Sequence, residues 1–295
     1  MIGITIFTPT YNRGHLLGRV FDSLQSQVCK NFEWLIIDDG SKDDTFAIIR
    51  TFEQKADFRI RYYSQKNAGK QAAQNKAVDL AEGELFLCLD SDDVLASEDT
   101  IRSILDNWNI VRNKENCAGL ISLKSDRLGK NLGSSFPKMV EFCTPVELKN
   151  QYHSGGERNF ILITSLLRKY RYPRFEGEYF CPDSYLTDKL SFGYTMAIRD
   201  CVDEICEYQV DGLSNSFVRL MKDNPRGFCI ANLQLVDLSD SAEAQFHAAV
   251  HYWAFKIIAK DKQIKYYGKK KFMVFISIIP GWLLSLKYKW ITFRK

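Results

Sequence analysis

The sequence lacks the signatures of several common protein classes. Its eight cysteines include no Cys-x-x-Cys pair, which argues against a zinc site and against a disulfide framework. Its first residues run from Ile2 to Phe7 into Thr8-Pro9-Thr10 without a basic stretch or a cleavage site, so we expect no secretory signal. We therefore expect a cytosolic protein with reduced, mostly buried thiols.

Three nucleotide-binding and nucleophile signatures are also missing. No GxGxxG follows the first apolar segment, which removes the dinucleotide-binding fingerprint, and no GxxxxGK[ST] P-loop occurs. No GxSxG elbow occurs either, which argues against a serine hydrolase. The charge-free stretch 272–286 has fifteen residues, which is short for a membrane span.

What is present is an ordinary globular composition with an uneven charge. The chain has 295 residues, of which 45% are hydrophobic and 26% charged, enough for one large domain or a domain with an appendage. The net charge of +4 hides eleven Lys and Arg against one acid over 256–295, so the preceding residues sum to −6. The basic character belongs to the C-terminal tail.

Apolar runs alternate with amphipathic stretches in the first part of the chain. The predicted strands cover 2–8, 34–37, 60–63, 85–89 and 118–123. The predicted helices between them cover 15–26, 41–54 and 71–81. Ser41, with Asp44 three residues later, is the predicted N-cap of the second helix. This alternation predicts an α/β protein with a mostly parallel sheet flanked by helices.

The fourth strand ends in closely spaced acids. Asp90, Asp92 and Asp93 follow the apolar run with only Ser91 between them. Carboxylates this close repel, so they need a cation, hydrogen-bond donors or open water. A polar turn would also explain them. Ligands of parallel sheets, however, bind outside the carboxyl ends of the strands, where these acids are predicted to lie.

Polar residues follow the other three strands as well. The loops cover 8–13, 38–41 and 66–70, and they contribute acids together with Arg13 and Lys70. In a parallel sheet these loops gather at one edge. Acids beside Lys or Arg suit a phosphate-bearing ligand held through a divalent metal.

Several motifs follow one another in a fixed order. They are Thr8-Pro9-Thr10-Tyr11-Asn12-Arg13, then Ile37-Asp38-Asp39-Gly40-Ser41-Lys42-Asp43-Asp44-Thr45, then Asn67-Ala68-Gly69-Lys70 with Asn75, then Gly83-Glu84 and Leu89-Asp90-Ser91-Asp92-Asp93. This succession resembles the nucleotide-sugar-binding half of the family 2 glycosyltransferases, including capsule-type and O-antigen-type members. The resemblance is sharpest over 2–110, thinner to about 230, and implies a Rossmann-like GT-A fold.

The resemblance implies a role for individual residues around the nucleotide. Thr8, Pro9 and Tyr11 would wall the base, and Asp38 would accept a hydrogen bond from the imide N–H of a uracil. The other implied donor-binding residues are Arg13, Gly40, Asn67, Gly69, Lys70, Asn75 and Ser91.

The acids after the fourth strand would hold the diphosphate through a metal. Asp90 would meet the ribose, and Asp92, with Asp90 beside it, would ligate Mn²⁺ or Mg²⁺ in a DXD motif. Many relatives carry an Arg just before Asn75, where this chain has Gln74. Lys70 would then supply the positive charge that stabilises the leaving diphosphate.

Sugar transfer with inversion needs a carboxylate that takes the proton of the acceptor hydroxyl. The acid-rich segment 175–184 resembles the acceptor-side element of family 2 enzymes, in which an acid after a Pro is the base. Asp183 is the candidate, with Glu176 and Glu178 in reserve, and a plain helix N-cap is the alternative role of Asp183. Segments 208–214 and 224–227 also resemble capsule-type members.

The tail is predicted to be a helical, basic extension over 231–295 after a domain of 1–230. Within that domain, 1–110 would bind the donor and 111–230 the acceptor. His247 and His251 could bind metal but are expected to be a packed or exposed pair. The stretch 272–286, flanked by lysines and aromatics, predicts an in-plane anchor on anionic lipid. The alternatives are a helix packed on the domain or, less in keeping with a charge-free run, nucleic-acid binding.

The sequence thus predicts an inverting, metal-dependent hexosyltransferase. Its donor would be a nucleotide sugar, with UDP-sugar favoured, and its acceptor a growing bacterial surface glycan on a polyprenyl pyrophosphate. It would act at the inner face of the cytoplasmic membrane. One alternative is a sugar-phosphate nucleotidyltransferase, although 8–13 is not the Gly-rich basic loop usual there. The other is a non-catalytic relative that binds nucleotide or glycan.

Overall fold

The computed structural model describes residues 2–207, 209 and 217–293, with side chains as far as 290. The chain divides into two compact units. The first comprises Met1–Thr144, Ser154–Arg171 and Gly193–Gln209, and the second Pro145–His153, Tyr172–Phe192 and Val210–Lys295. The predicted boundary at residue 230 stays a prediction. The motif predicted over 208–214 lies, apart from Gln209, outside the described residues.

The first unit is built on a nine-stranded sheet within the described residues. Its strands are β1 (Ile4–Thr10), β2 (Phe32–Asp38), β3 (Arg59–Ser64), β4 (Leu85–Cys88), β5 (Val94–Leu95), β6 (Cys117–Asp126), β7 (Phe142–Cys143), β8 (Arg158–Ile163) and β9 (Thr195–Cys206). Their order is β3-β2-β1-β4-β8-β6-β9-β5, and β7 pairs with β9. Strands β1 to β4 are parallel, whereas β8 runs antiparallel between β4 and β6.

Helices follow the strands as the alternation predicted. After a 3₁₀ turn at Gly14–Leu16 they are α1 (Leu17–Gln25), α2 (Thr45–Lys55), α3 (Lys70–Leu80), α4 (Thr100–Val111), α5 (Pro145–Asn150), α6 (Thr164–Lys169), α7 (Ser184–Leu190), α8 (Phe217–Asp223), α9 (Pro225–Leu238), α10 (Ala242–Ala259), α11 (Lys271–Ile276) and α12 (Ile278–Phe293). Fully buried Val20 and Leu24 of α1 share one core with Ile6 and Trp34 of the sheet. The predicted sheet flanked by helices is confirmed.

One predicted helix start is wrong. Helix α2 begins at Thr45 rather than after Ser41, and the Asp43 carboxylate accepts a hydrogen bond from the Thr45 backbone N–H at 3.2 Å. The Ser41 hydroxyl instead accepts from the backbone N–H of Asn12 at 2.8 Å. Ser41 therefore ties the loop after β1 to the loop after β2 and does not cap a helix.

The second unit is helical. Its core joins α9 and α10 through buried Phe228, Cys229, Tyr252 and Phe255, and the Phe228 and Phe255 rings stack with centroids 5.1 Å apart. Helix α10, Ala242–Ala259, lies within the helical extension predicted over 231–295. Among the residues that the structure describes, every helix falls short of the length or apolar character needed to cross a membrane.

Candidate functional site

The loops that follow β1 to β4 lie together at one edge of the sheet in the first unit. The parallel register pairs Thr10 with Asp38 and Asp38 with Ser64, so the first three strands end side by side. Strand β4 lies on the other side of β1, with Phe7 opposite Cys88. The topology therefore gathers the predicted motifs as the sequence implied.

Two ion pairs connect the basic loops to the acids after β4. Arg13 Nη1 lies 2.9 Å from Asp92 Oδ2, and Lys70 Nζ lies 2.8 Å from Asp90 Oδ2. All four side chains are at least two-thirds buried. Residues separated by 79 and 20 positions in the chain thus form one charged cluster.

Asp39 organises the loop before α3, a role that the sequence did not reveal. Its Oδ1 accepts from the Ala68 backbone N–H at 2.9 Å and from Gln65 Nε2 at 2.7 Å, and its Oδ2 accepts from the Gly69 backbone N–H at 2.8 Å. Gly69 has φ +90°, in the region that favours glycine. The Asp38-Asp39 pair was visible as a motif, but only the fold shows which acid holds the neighbouring loop.

Asp38 is buried and already accepts two hydrogen bonds. Its Oδ1 accepts from the Ser41 backbone N–H at 2.8 Å, and its Oδ2 accepts from the Tyr62 hydroxyl at 2.7 Å. Burial and the hydrogen bond to Asp38 raise the pKa of Tyr62 to about 12, so Tyr62 stays a donor. Each carboxylate oxygen has a second lone pair, so the predicted contact with a base remains chemically open.

The residues predicted to wall the base differ in exposure. Thr8 is fully buried, and its hydroxyl accepts from Trp34 Nε1 at 2.9 Å. Pro9 is partly buried, and Tyr11 is exposed. The structure therefore directs Thr8 into the core, while Pro9 and Tyr11 reach the surface.

The remaining predicted donor residues also differ in their surroundings. Gly40 has φ +90°, and its backbone lies so near Asn67 that a Cβ would come within 3.2 Å of the Asn67 nitrogen. Asn67 is exposed, whereas Ser91 is buried. The Asn75 carbonyl accepts from Arg171 Nη1 at 2.7 Å. The backbone of Asn75 thus links α3 to Arg171.

The acids after β4 have opposite electrostatic surroundings. Partial burial alone would raise the pKa of Asp90, but the positive charges of Lys70, Lys124 and Arg13 hold it below its usual value. The pKa of Asp92 is raised by burial and by the negative charges of Asp90 and Asp93, which outweigh Arg13. Burial and repulsion therefore disfavour the ionised form of Asp92 unless a cation lies beside it. Carboxylate oxygens are the ligands that the hard ions Mn²⁺ and Mg²⁺ prefer.

A second acidic group lies behind this loop. The potential ligand atoms of Asp93, Glu204 and Cys206 lie within 4.8 Å of one another, and all three residues are buried. Lys124 already forms an ion pair with Glu204, and its Nζ lies 3.9 Å from Asp93 Oδ2. Burial and the neighbouring Glu204 raise the pKa of Asp93 to about 9. We refer to these three buried residues, with Lys124 beside them, as the internal brace.

The brace links the acidic loop to β9. The Asp93 carboxylate accepts from Cys206 Sγ at 3.3 Å and from the Glu207 backbone N–H at 3.2 Å. Sequence reasoning missed Lys124 and Glu204 because they belong to no motif. The signal available was a lone Lys at the end of an apolar run.

The acceptor-side acids belong to the second unit. Asp183 is exposed at the N-cap position of α7, yet its side chain makes no capping hydrogen bond. Glu178 accepts from the backbone N–H groups of Arg226 and Gly227 at 2.9 and 3.0 Å, so it caps the start of α9. Glu176 is exposed. The Asp183 side chain thus does not cap α7, whereas the Glu178 side chain caps α9.

Comparison with known sequences supports the motif reading. Residues 5–141 match the family described as Glycosyl transferase family 2. A GalNAc(5)-diNAcBac-PP-undecaprenol beta-1,3-glucosyltransferase of Campylobacter jejuni is 38% identical over 96 residues, which are 32% of this chain and 31% of that protein. An uncharacterized glycosyltransferase of Rickettsia conorii is 35% identical over 148 residues, 48% of this chain and 24% of that protein. The chain thus spans less than a third of these relatives.

Comparison with solved structures bears on the fold. S. aureus TarS in complex with UDP superimposes with a TM-score of 0.60 at 19% identity, covering 86% of this chain and 70% of that one. The mannosyltransferase PcManGT from Pyrobaculum calidifontis, in complex with GDP-Man and Mn²⁺, gives 0.58 at 17% identity, covering 96% and 86%. At such identities the likeness is one of fold. It confirms the predicted GT-A fold.

Proposed function

We propose, from the premise that residues 5–141 belong to glycosyltransferase family 2, that this protein transfers a hexose from a nucleotide sugar to a hydroxyl group of a growing glycan. Transfer inverts the anomeric carbon, because a single carboxylate base acts opposite the leaving group. The donor is a UDP-sugar. Asp38, held by Tyr62, has lone pairs left for an imide N–H.

The observation that carries this proposal is the charged cluster at the edge of the sheet. Arg13 and Lys70 both end on the acids after β4, at 2.9 and 2.8 Å. A diphosphate needs positive charge from Lys or Arg together with a cation that acids hold. Both kinds of group meet here at the carboxyl ends of parallel strands, where ligands of such sheets bind.

The metal of this proposal is Mn²⁺ or Mg²⁺, with Asp92 and Asp90 as the protein ligands. The carboxylate oxygens fit such an ion, and a cation would offset the burial and the repulsion that raise the pKa of Asp92. When bound, it would supply positive charge to the diphosphate as the sugar leaves. Arg13 and Lys70 would add charge from the chain itself and orient the phosphates.

The proposed base is Asp183. It is exposed and makes no capping hydrogen bond, unlike Glu178, which two backbone N–H groups hold. A carboxylate that an acceptor can reach is suited to take the proton of a sugar hydroxyl. Glu176 is the reserve.

The proposed acceptor is a lipid-linked surface glycan of the capsule or O-antigen kind. The Campylobacter relative is named for an undecaprenol-PP-linked acceptor. An acceptor of this type would place the protein peripherally at the inner face of the bacterial cytoplasmic membrane, with no nucleic-acid partner.

The test is a panel of nucleotide sugars incubated with Mn²⁺, with the released nucleoside diphosphate measured. We expect release from a UDP-sugar, and we expect Asp183→Asn to slow transfer about 100-fold or more while UDP affinity is kept. Asp240→Asn, which changes another exposed acid of the second unit, is the matched control.

Other outcomes would favour the alternatives. Retained turnover in Asp183→Asn would remove that residue as the base. UDP binding without release from any sugar would favour a non-catalytic relative. Consumption of a sugar 1-phosphate with a nucleoside triphosphate would favour a nucleotidyltransferase.

A further inference from the structure

Helices α11 and α12 carry their apolar residues on the outside. Phe272, Phe275 and Ile279 are 75%, 69% and 70% exposed, and Trp282 is 50% exposed. We define the apolar face as these residues with Leu283 and Leu286, which are also exposed. Exposed clusters of large apolar side chains on soluble proteins usually mark a binding surface.

The inner side of the same helices packs on the core of the second unit. Val274 and Tyr288 join that core, and the Tyr288 ring stacks on Phe255 of α10 with centroids 5.3 Å apart. Ser277 and Ser285 are fully buried, and a Cβ added to Gly281 would come within 2.4 Å of the Trp253 Cβ. The inner side is thus in contact with α10, while Phe, Ile, Leu and Trp side chains lie on the outward side, where a water-exposed helix would carry polar residues.

We infer that the apolar face binds in plane to a bilayer that contains anionic lipid. The sequence supplies the complementary charge, since Lys269, Lys270 and Lys271 precede α11, Lys287 lies within α12, and no acid occurs from 262 onward. Basic residues beside an apolar face rich in aromatics are typical of interfacial helices. Exposed Trp282 suits the headgroup region.

The geometry favours lying on the membrane over crossing it. Helix α12 has 16 residues and rises about 24 Å, less than the roughly 30 Å of a hydrocarbon core. One side of α12 packs on α10 at Gly281, and α11 is held to α10 by the hydrogen bond of Trp253 Nε1 to the Val274 carbonyl at 2.7 Å. Only the other side is available to lipid.

A second copy of the chain is the less favourable occupant. Two such faces brought together would oppose lysine-rich edges of the same sign, which repel. Anionic headgroups would instead neutralise the same lysines. This inference rests on the peripheral membrane location proposed above and names the surface that would make the contact. Its test uses no sugar donor, so its failure would leave the transfer reaction untouched.

The experiment is flotation of the full chain with phosphatidylglycerol-containing vesicles and with pure phosphatidylcholine vesicles. We expect the wild type to float with the anionic vesicles. The triple variant Phe275→Ser, Ile279→Ser, Trp282→Ser should lower the bound fraction at least roughly tenfold, since it removes three apolar side chains from the lipid contact. The matched control changes three exposed apolar residues of the first unit, Ile110→Ser, Leu128→Ser and Met139→Ser, and should float as the wild type does.

If the triple variant folds poorly, two further measurements test the same binding to lipid. Brominated lipid should quench the tryptophan fluorescence of the wild type, and Trp282→Phe should remove a large part of that quenching. Lys269→Gln, Lys270→Gln, Lys271→Gln should reduce the preference for anionic over neutral vesicles. Wild-type flotation of the triple Ser variant, no binding of the wild type to anionic vesicles, or a dimer that the triple Ser variant converts to a monomer would overturn the inference.

Discussion

At the scale of single residues, the donor site depends on side chains that hold backbone as well as on those predicted to touch ligand. Asp39 is buried and joins the loop after β2 to the start of α3 by accepting from Gln65, Ala68 and Gly69. Such a carboxylate fixes the loop that carries Lys70. It therefore positions a charged group of the candidate donor site.

Replacing Asp39 with Asn should destabilise the loop that carries Lys70. An amide would turn its NH₂ group against a backbone donor and lose charge-assisted hydrogen bonds, which lowers the free energy of unfolding by about 1.5–3 kcal/mol. Thermal denaturation and UDP titration would measure both effects. Asp44→Asn is the control, because Asp44 is exposed and makes no capping hydrogen bond. Wild-type stability of Asp39→Asn would show that the loop does not depend on this acid.

Asp188 predicts a pH dependence of stability. Burial raises its pKa from 3.8 to about 6, against the opposing hydrogen bond of Ser184 and the charge of Lys149. The folded state therefore binds this proton more tightly than the unfolded state does. The contribution of this bound proton to the free energy of unfolding is complete below pH 3.8, and it is lost as the pH rises through 6.

Asp188→Asn should remove this dependence. At pH 8 the variant should be more stable than the wild type by up to about 3 kcal/mol, and the difference should shrink towards pH 4. Urea denaturation at the two pH values measures it, with exposed Asp240→Asn as the control. A variant less stable than the wild type at pH 8 would contradict the assigned cost of burial.

At the scale of elements, sequence periodicity predicted β1 to β4 and α3 because these segments are uniformly apolar or regularly amphipathic. It did not reveal β9, since Thr195–Cys206 contains Arg199, Asp203 and Glu204. Arg199 and Asp203 form a bidentate ion pair with both hydrogen bonds at 2.9 Å, and both residues are buried. In the sequence alone, a strand that contains such paired charges resembles a solvent-exposed segment. The pairing of β8 between β4 and β6 also depends on contacts distant in the chain.

The packing of α12 on α10 makes a prediction about Gly281. Gly281→Ala should lower the free energy of unfolding by about 1–3 kcal/mol, because the added Cβ meets Trp253 at 2.4 Å and the Val250 carbonyl oxygen at 2.9 Å. Gly18→Ala is the control in α1, where a Cβ meets nothing within 4 Å. That change should stabilise by about 0.5–1 kcal/mol. Denaturant unfolding of both variants would distinguish packing from helix propensity, and equal effects would refute the close contact.

At the scale of the whole molecule, the positions of the predicted donor residues in the fold followed from the sequence more readily than the position of the predicted base. The donor motifs are contiguous and lie at strand ends, so their order and the topology together assemble them. The candidate base, Asp183, lies in a segment without such periodicity, where three acids compete. Only the structure separates Glu178, which caps α9, from exposed Asp183. The positive charge of the tail could be counted from the sequence, whereas the exposure of its apolar face required the structure.

We propose that the acids after β4 hold a nucleoside diphosphate through a divalent metal. Calorimetric titration of UDP in the presence of Mn²⁺ measures this binding. We expect the wild type and Asp183→Asn to bind UDP with equal affinity, and we expect binding to be at least about tenfold weaker in Asp92→Asn or in EDTA. UDP binding that is equally tight in Asp92→Asn, or in the absence of metal, would show that these acids do not hold the diphosphate through a metal.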